Sequence, residues 1–226
     1  MEHLVSGEKA IPAIVKPHLH HKFSLHIKEK LPERETSQKD AELLEFMVEN
    51  DVRPFHKKSK NDVMIIYDLS QEVYYKHNDK YPELAKLTAS LFLFFSDFGY
   101  YLNIERQRLI PVVQDLIEKI KNSENSDNVV GQLIKDLRNK IRREHYSVID
   151  KLKYFRILTG DYKAPRGSCK SYKHLFDKLK KFENDLVMYI HFENDRFFPL
   201  VVEMENYYNE NKLNCQDNEL LREMLF

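Results

Sequence analysis

From Val63 onward the apolar positions recur at threes and fours, the spacing of an amphipathic helix. Val63, Ile66, Ser70, Tyr74, His77, Tyr81 and Leu84 share one face of a first predicted helix, with Pro82 as a kink. A turn near Thr88 to Ser90 leads into a second, carrying Leu91, Phe94, Phe98, Tyr101, Glu105, Leu109, Val112, Leu116 and Ile120. The loop Asn122 to Asn128 separates it from a third, with Val130, Ile134, Leu137, Ile141, His145, Val148, Leu152 and Phe155. Thr159 to Gly167 breaks the pattern, and a fourth helix shows Leu175, Leu179, Phe182, Leu186, Tyr189, Glu193, Phe197, Leu200 and Met204. Four long helices with short connections predict an all-α, up-down-up-down four-helix bundle over residues 62–210. Residues 1–61, broken by Pro12, Pro17, Pro32 and Pro54, read as a partly irregular N-terminal extension with one short helix at Lys39 to Asn50. Residues 211–226 read as a tail ending in a short amphipathic helix.

Two stretches inside the second and fourth helices echo each other. Tyr101 to Pro111 and Tyr189 to Pro199 share Tyr, Glu four residues on, then Arg and Pro. Each Tyr therefore falls on the same helix face as its Glu. A carboxylate set twice into an apolar stripe is not what core packing alone selects. Counting helix rise from the expected turns puts Tyr74, His77, Tyr101, Glu105, His145, Tyr189 and Glu193 at mid-height, near a pseudo-twofold axis.

Composition adds few constraints. Among 226 residues, Lys+Arg and Asp+Glu both number 36, so no basic excess points to nucleic acid. No apolar run approaches the length of a membrane span, and the first residues lack a signal-peptide layout. Two cysteines, Cys169 and Cys215, form neither a C-x-x-C motif nor a disulfide framework, and the expectation is a cytoplasmic protein. The histidines at His18, His20, His21 and His26 lack ligand spacing and read as an exposed polar segment. His191 points off the stripe and pairs with Asp195, Cys169 reads as packing, and Leu91 to Phe95 reads as core plus a surface for a homodimer.

From Val63 to Val202 the sequence resembles the hemerythrin-like di-iron proteins, and within them the iron-sulfur cluster repair proteins. The resemblance rests on Glu144-His145, the L-T-x-D-Y-x-x-P run from Leu158 to Pro165, the C-x-x-Y of Cys169 and Tyr172, and E-N-D-R-F-F-P from Glu193 to Pro199. It implies a non-haem di-iron centre bridged by two glutamates and held by histidines, in a protein of the nitric-oxide stress class. Glu105 and Glu193 match the bridging carboxylates and His145 matches a histidine ligand. Tyr101 and Tyr189 stand where the resemblance implies histidines, as does Tyr74 on the first helix, and Tyr146 stands in place of an Asp.

Two readings follow. In one, iron is kept by Glu105, His145 and Glu193, with Tyr74, His77, Tyr101 and Tyr189 lining the site and phenolate or His77 completing the set. In the other, no cofactor is bound; the tyrosine O–H groups and a protonated His145 satisfy the carboxylates, and the protein acts as a binding or regulatory module. The three tyrosines favour the second reading, with iron as the alternative.

Overall fold

The computed structural model describes the backbone of residues 33–122 and 129–223, and the side chains of 37–122 and 133–210. Four helical rods run through it. The first joins α1 (Glu33–Met47) to α2 (Arg53–His77), and the second joins α3 (Glu83–Ile104) to α4 (Ile110–Asn122). The third is α5 (Val129–Leu158), and the fourth joins α6 (Lys170–Phe192) to α7 (Phe198–Glu223). The bundle is all-α, with no strand among the described residues. On one half α2 packs on α3 and α6, and on the other α1 packs on α4 and α7; α5 lies against α3 and α4. No described helix is long and apolar enough to cross a membrane.

Three rods carry a single π turn, at Val48–Val52, Glu105–Leu109 and Glu193–Phe197. Each is followed by a proline in the second position of the next helix: Pro54, Pro111 and Pro199. The proline accounts for the turn. It has no N–H to give, and its ring presses on the carbonyl four residues back. Widening the preceding turn moves that carbonyl aside. The N–H of the residue before each proline then reaches five residues back, Arg53 to Val48, Ile110 to Glu105 and Phe198 to Glu193. The α5 rod has no proline and no such interruption.

Several expectations about boundaries are corrected here. The first helix of the bundle does not begin at Val63: the apolar period already runs through Ala41, Leu44, Val48 and Val52, all buried, and Pro54 sits inside the rod. Residue 61, expected to close the extension, lies within α2. The first turn is not at Thr88 to Ser90, and Pro82 does not kink a helix. Asn78 to Pro82 form the turn, closed by Lys80 and Tyr81 N–H groups on the His77 carbonyl, and Pro82 is the N-cap of α3. Thr88 is a buried residue inside α3. The backbone of α7 also continues to Glu223, beyond the expected start of the tail. The His18 to His26 cluster and the side chains of the tail lie outside the described residues.

The α5–α6 connection is fixed by a buried carboxylate. Gly160, Asp161 and Tyr162 all have left-handed backbone, a costly geometry for the last two. Tyr162 O–H and Arg156 Nε both donate to Glu183, and Arg156 Nη1 reaches Asp161 at 2.7 Å. Burial first, then Glu183, holds the Tyr162 phenol far above its usual range. Arg156→Met leaves the Glu183 carboxylate with only the phenol. The expected cost is about 2 kcal/mol, below the usual figure for a broken buried pair because the arginine is partly exposed. A urea unfolding midpoint unchanged from wild type would count against this account.

Candidate metal centre

Glu105 and Glu193 are the first residues of two of the π turns, and both are fully buried. Each Glu Oε2 receives one imidazole and one phenol. On Glu105 these are His56 Nε2 at 2.7 Å and Tyr189 O–H at 3.1 Å. On Glu193 they are His145 Nε2 at 2.9 Å and Tyr101 O–H at 2.8 Å. The two halves repeat one pattern drawn from all four rods. The phenols cross over: Tyr101 shares its helix face with Glu105 but donates to Glu193, and Tyr189 does the reverse. Tyr101 O–H also lies 3.1 Å from His145 Nε2, and His145 Nδ1 lies 3.3 Å from Asn194 Oδ1.

Burial sets the electrostatics. It pushes both carboxyls up to about 7, and for Glu105 the charge of Glu193 adds to the rise. His56 acts in the opposite direction on both. Burial, then the two carboxylates, drives both phenols well above their normal range, so Tyr101 and Tyr189 keep their protons and act as donors. The His145 imidazole is pushed down by burial. The second oxygen of each carboxylate, Glu105 Oε1 and Glu193 Oε1, is buried without any hydrogen-bond partner. Donor atoms of Glu105, His145 and Glu193 all lie within 4.8 Å of one another.

Of the residues expected at this level, Glu105, His145, Glu193, Tyr101 and Tyr189 come together. Tyr74 and His77 do not. His56 touches Glu105, and His77 lies 21 residues farther along the same helix, about 31 Å up its axis. Tyr74 is about 27 Å away by the same count and packs edge-on to Tyr75. His77 meets Cys169 instead. The residue that sequence reasoning missed is His56. The apolar steps Val48, Val52 and Phe55 carry the helix through it, but in sequence Pro54 reads as a breaker. Phe55 stacks flat on Tyr189, with centroids 3.7 Å apart, and so holds this side of the site. His191 is exposed and faces Asp195 at 3.6 Å, as its position predicts.

No protein-family model matches the chain. It is 24% identical over 168 residues to an iron-sulfur cluster repair protein of Dickeya chrysanthemi, covering 74% of this chain and 70% of the relative. A probable iron-sulfur cluster repair protein of Haemophilus influenzae is 22% identical over 156 residues, with 69% of this chain and 64% of the relative covered. An iron-sulfur cluster repair protein of Neisseria gonorrhoeae is 25% identical over 157 residues, 69% of this chain and 90% of the relative. The chain is thus similar, at low identity over about 70% of its length, to proteins named for the repair of iron-sulfur clusters.

Proposed function

We propose that this chain is an iron-sulfur cluster repair protein with an altered centre, in which Glu105, Glu193, His56 and His145 hold a cation and Tyr101 and Tyr189 line it. The observation that carries the reading is the pair of orphaned oxygens, Glu105 Oε1 and Glu193 Oε1. A buried carboxylate oxygen with no donor is costly, and two facing carboxylates repel. A divalent or trivalent cation offsets both penalties. Carboxylate oxygens with imidazole nitrogens suit iron or manganese better than a soft metal. Iron held by these residues would supply redox and Lewis-acid capacity.

The chain's own groups define the rest. Each imidazole has its Nε2 on a carboxylate, so it orients that carboxylate as well as offering a nitrogen. The phenols donate to Oε2 of Glu193 and Glu105 and keep their protons there. The expectation of no cofactor rests on tyrosines at three positions where the resemblance implies histidines; His56 supports the other reading, since with it every rod contributes one imidazole or one carboxylate. The similarity to named repair proteins supports the class of function.

Protein produced in iron-rich medium is expected to carry iron in stoichiometric amount by elemental analysis, and Glu105→Gln/Glu193→Gln protein to carry none. The loaded protein is expected to restore activity to an iron-sulfur enzyme with a damaged cluster. Wild-type protein that holds neither iron nor manganese, and whose melting temperature ignores added metal, returns the reading to a metal-free module.

A further inference from the structure

At the far end of α2 from the carboxylates, His77 Nε2 lies 3.0 Å from Cys169 Sγ. Cys169 is the N-cap of α6, and its sulfur also accepts the Tyr172 backbone N–H at 3.4 Å. The imidazole is the last residue of α2, and its own carbonyl is taken by the Lys80 and Tyr81 N–H groups. Tyr81 and Tyr172 flank the ring with centroids 6.4 and 5.7 Å away, and they meet each other edge to face. A nucleophile and a base therefore come from two different helices, each fixed by its own surroundings. Cys169 packs against the core on one side and on the other has a base within hydrogen-bond reach, the geometry of a nucleophile–base pair.

The thiol is only partly covered. Around it the chain is basic: between Tyr162 and Phe176 there are Lys163, Arg166, Lys170 and Lys173, and no acid. Lys76, one residue before His77, adds a further basic side chain and is held by Glu72. Glu72 on α2 is already engaged by Lys76 and by the Ser171 hydroxyl. Glu83 at the start of α3 is the acid whose charge reaches Tyr172; against it stand the four basic residues of the connecting stretch and Lys76, a balance that favours a negatively charged reagent.

We propose that Cys169 and His77 form a thiol site, separate from the candidate metal centre, that exchanges with small anionic disulfides such as glutathione disulfide. In the tautomer with its proton on Nδ1, His77 Nε2 takes the thiol proton as Cys169 Sγ attacks one sulfur of the disulfide. A Cys169–glutathione S–S bond forms and the original S–S bond breaks. The departing thiolate takes the proton back from His77 and leaves as glutathione. Cys169 sulfur is oxidised and one glutathione sulfur is reduced, so electrons balance with no further oxidant. The Tyr172 N–H stays on the sulfur throughout.

The test uses the full chain in a Cys215→Ser background, reduced and then exposed to glutathione disulfide, with adduct formation at Cys169 followed by peptide mass mapping. The folded protein is expected to react at least tenfold faster than the same protein unfolded in urea, and at least tenfold faster than folded His77→Gln, the loss expected when a general base is removed. Folded protein that reacts no faster than unfolded protein overturns the proposal. So does a folded His77→Gln variant with an unchanged rate. If that variant does not fold, the folded-against-unfolded comparison decides alone.

Discussion

Metal-free protein loses stability as the pH rises from about 5 to 8, and the Glu105→Gln/Glu193→Gln variant does not. Both carboxyls sit at about 7 in the folded state against 4.5 for a free glutamate. Between those values the folded protein holds protons that the unfolded chain has released. The contribution is therefore fully present below 4.5 and is lost as the pH climbs through 7. For one carboxyl the change is worth about 3 kcal/mol, and the pair contributes less than twice that because the two are coupled. In a domain of this size that is a fall of about 10 °C in melting temperature. His145 works in the other sense: its imidazole is pushed down by burial, so its stabilising contribution fades as the pH falls. The informative quantity is the wild-type curve minus the double-glutamine curve, in which the His145 contribution cancels except for the part that the charge of Glu105 itself adds. That difference must decline with rising pH, and added ferrous iron must flatten it. A difference curve that is level without metal would falsify the electrostatic account of the site.

Tyr101→His/Tyr189→His protein is expected to bind iron at least tenfold more tightly than wild type, measured by competition with a chelator. Both phenols are buried against the carboxylates and keep their protons. A phenol must give up that proton before it can ligate, whereas an imidazole ligates in its neutral form. Each tyrosine also occupies a carboxylate oxygen with its O–H, at 2.8 Å on Glu193 and 3.1 Å on Glu105. Removing the phenols frees those oxygens and adds two nitrogens, a change of the size that neighbouring-group substitutions make in metal sites, about 10–100-fold. Unchanged or weaker binding in the double variant would show that the tyrosines serve the metal as ligands themselves, and the wild type would then lose an absorption band on substitution.

Much of the site was legible because helical period is a local property. The threes and fours around Glu105, His145 and Glu193 place each on an inward face, and all three are buried. The paired Tyr-x-x-x-Glu stretches mark two of the four corners. The prolines at Pro111 and Pro199 were visible as part of the repeat, but their consequence was not. A missing N–H and a crowded carbonyl widen the turn before each, and Pro54 does the same in the first rod. Read as a breaker, Pro54 hid a helix and the histidine two residues beyond it. Cys169 packs against the core as its pattern predicts, but its contact with His77 was not legible, because that residue is distant in sequence and adjacent only across the α2–α6 contact.

By itself the sequence determined that the chain is a helical bundle, which faces turn inward, and that two carboxylates would be buried in it. Periodicity says nothing about how far one helix slides along the next. In a hairpin of two helices that register is set by where the turn falls, and an error in the turn is doubled in the residue placed opposite. The turn expected near residue 89 lies near residue 80, at Asn78 to Pro82. A shift of nine residues in the turn moves the residue at the level of the site on the first rod by eighteen, from Tyr74 to His56. Only the packed structure decided that point, and it brings an imidazole, not the Tyr74 phenol, from the first rod to the site.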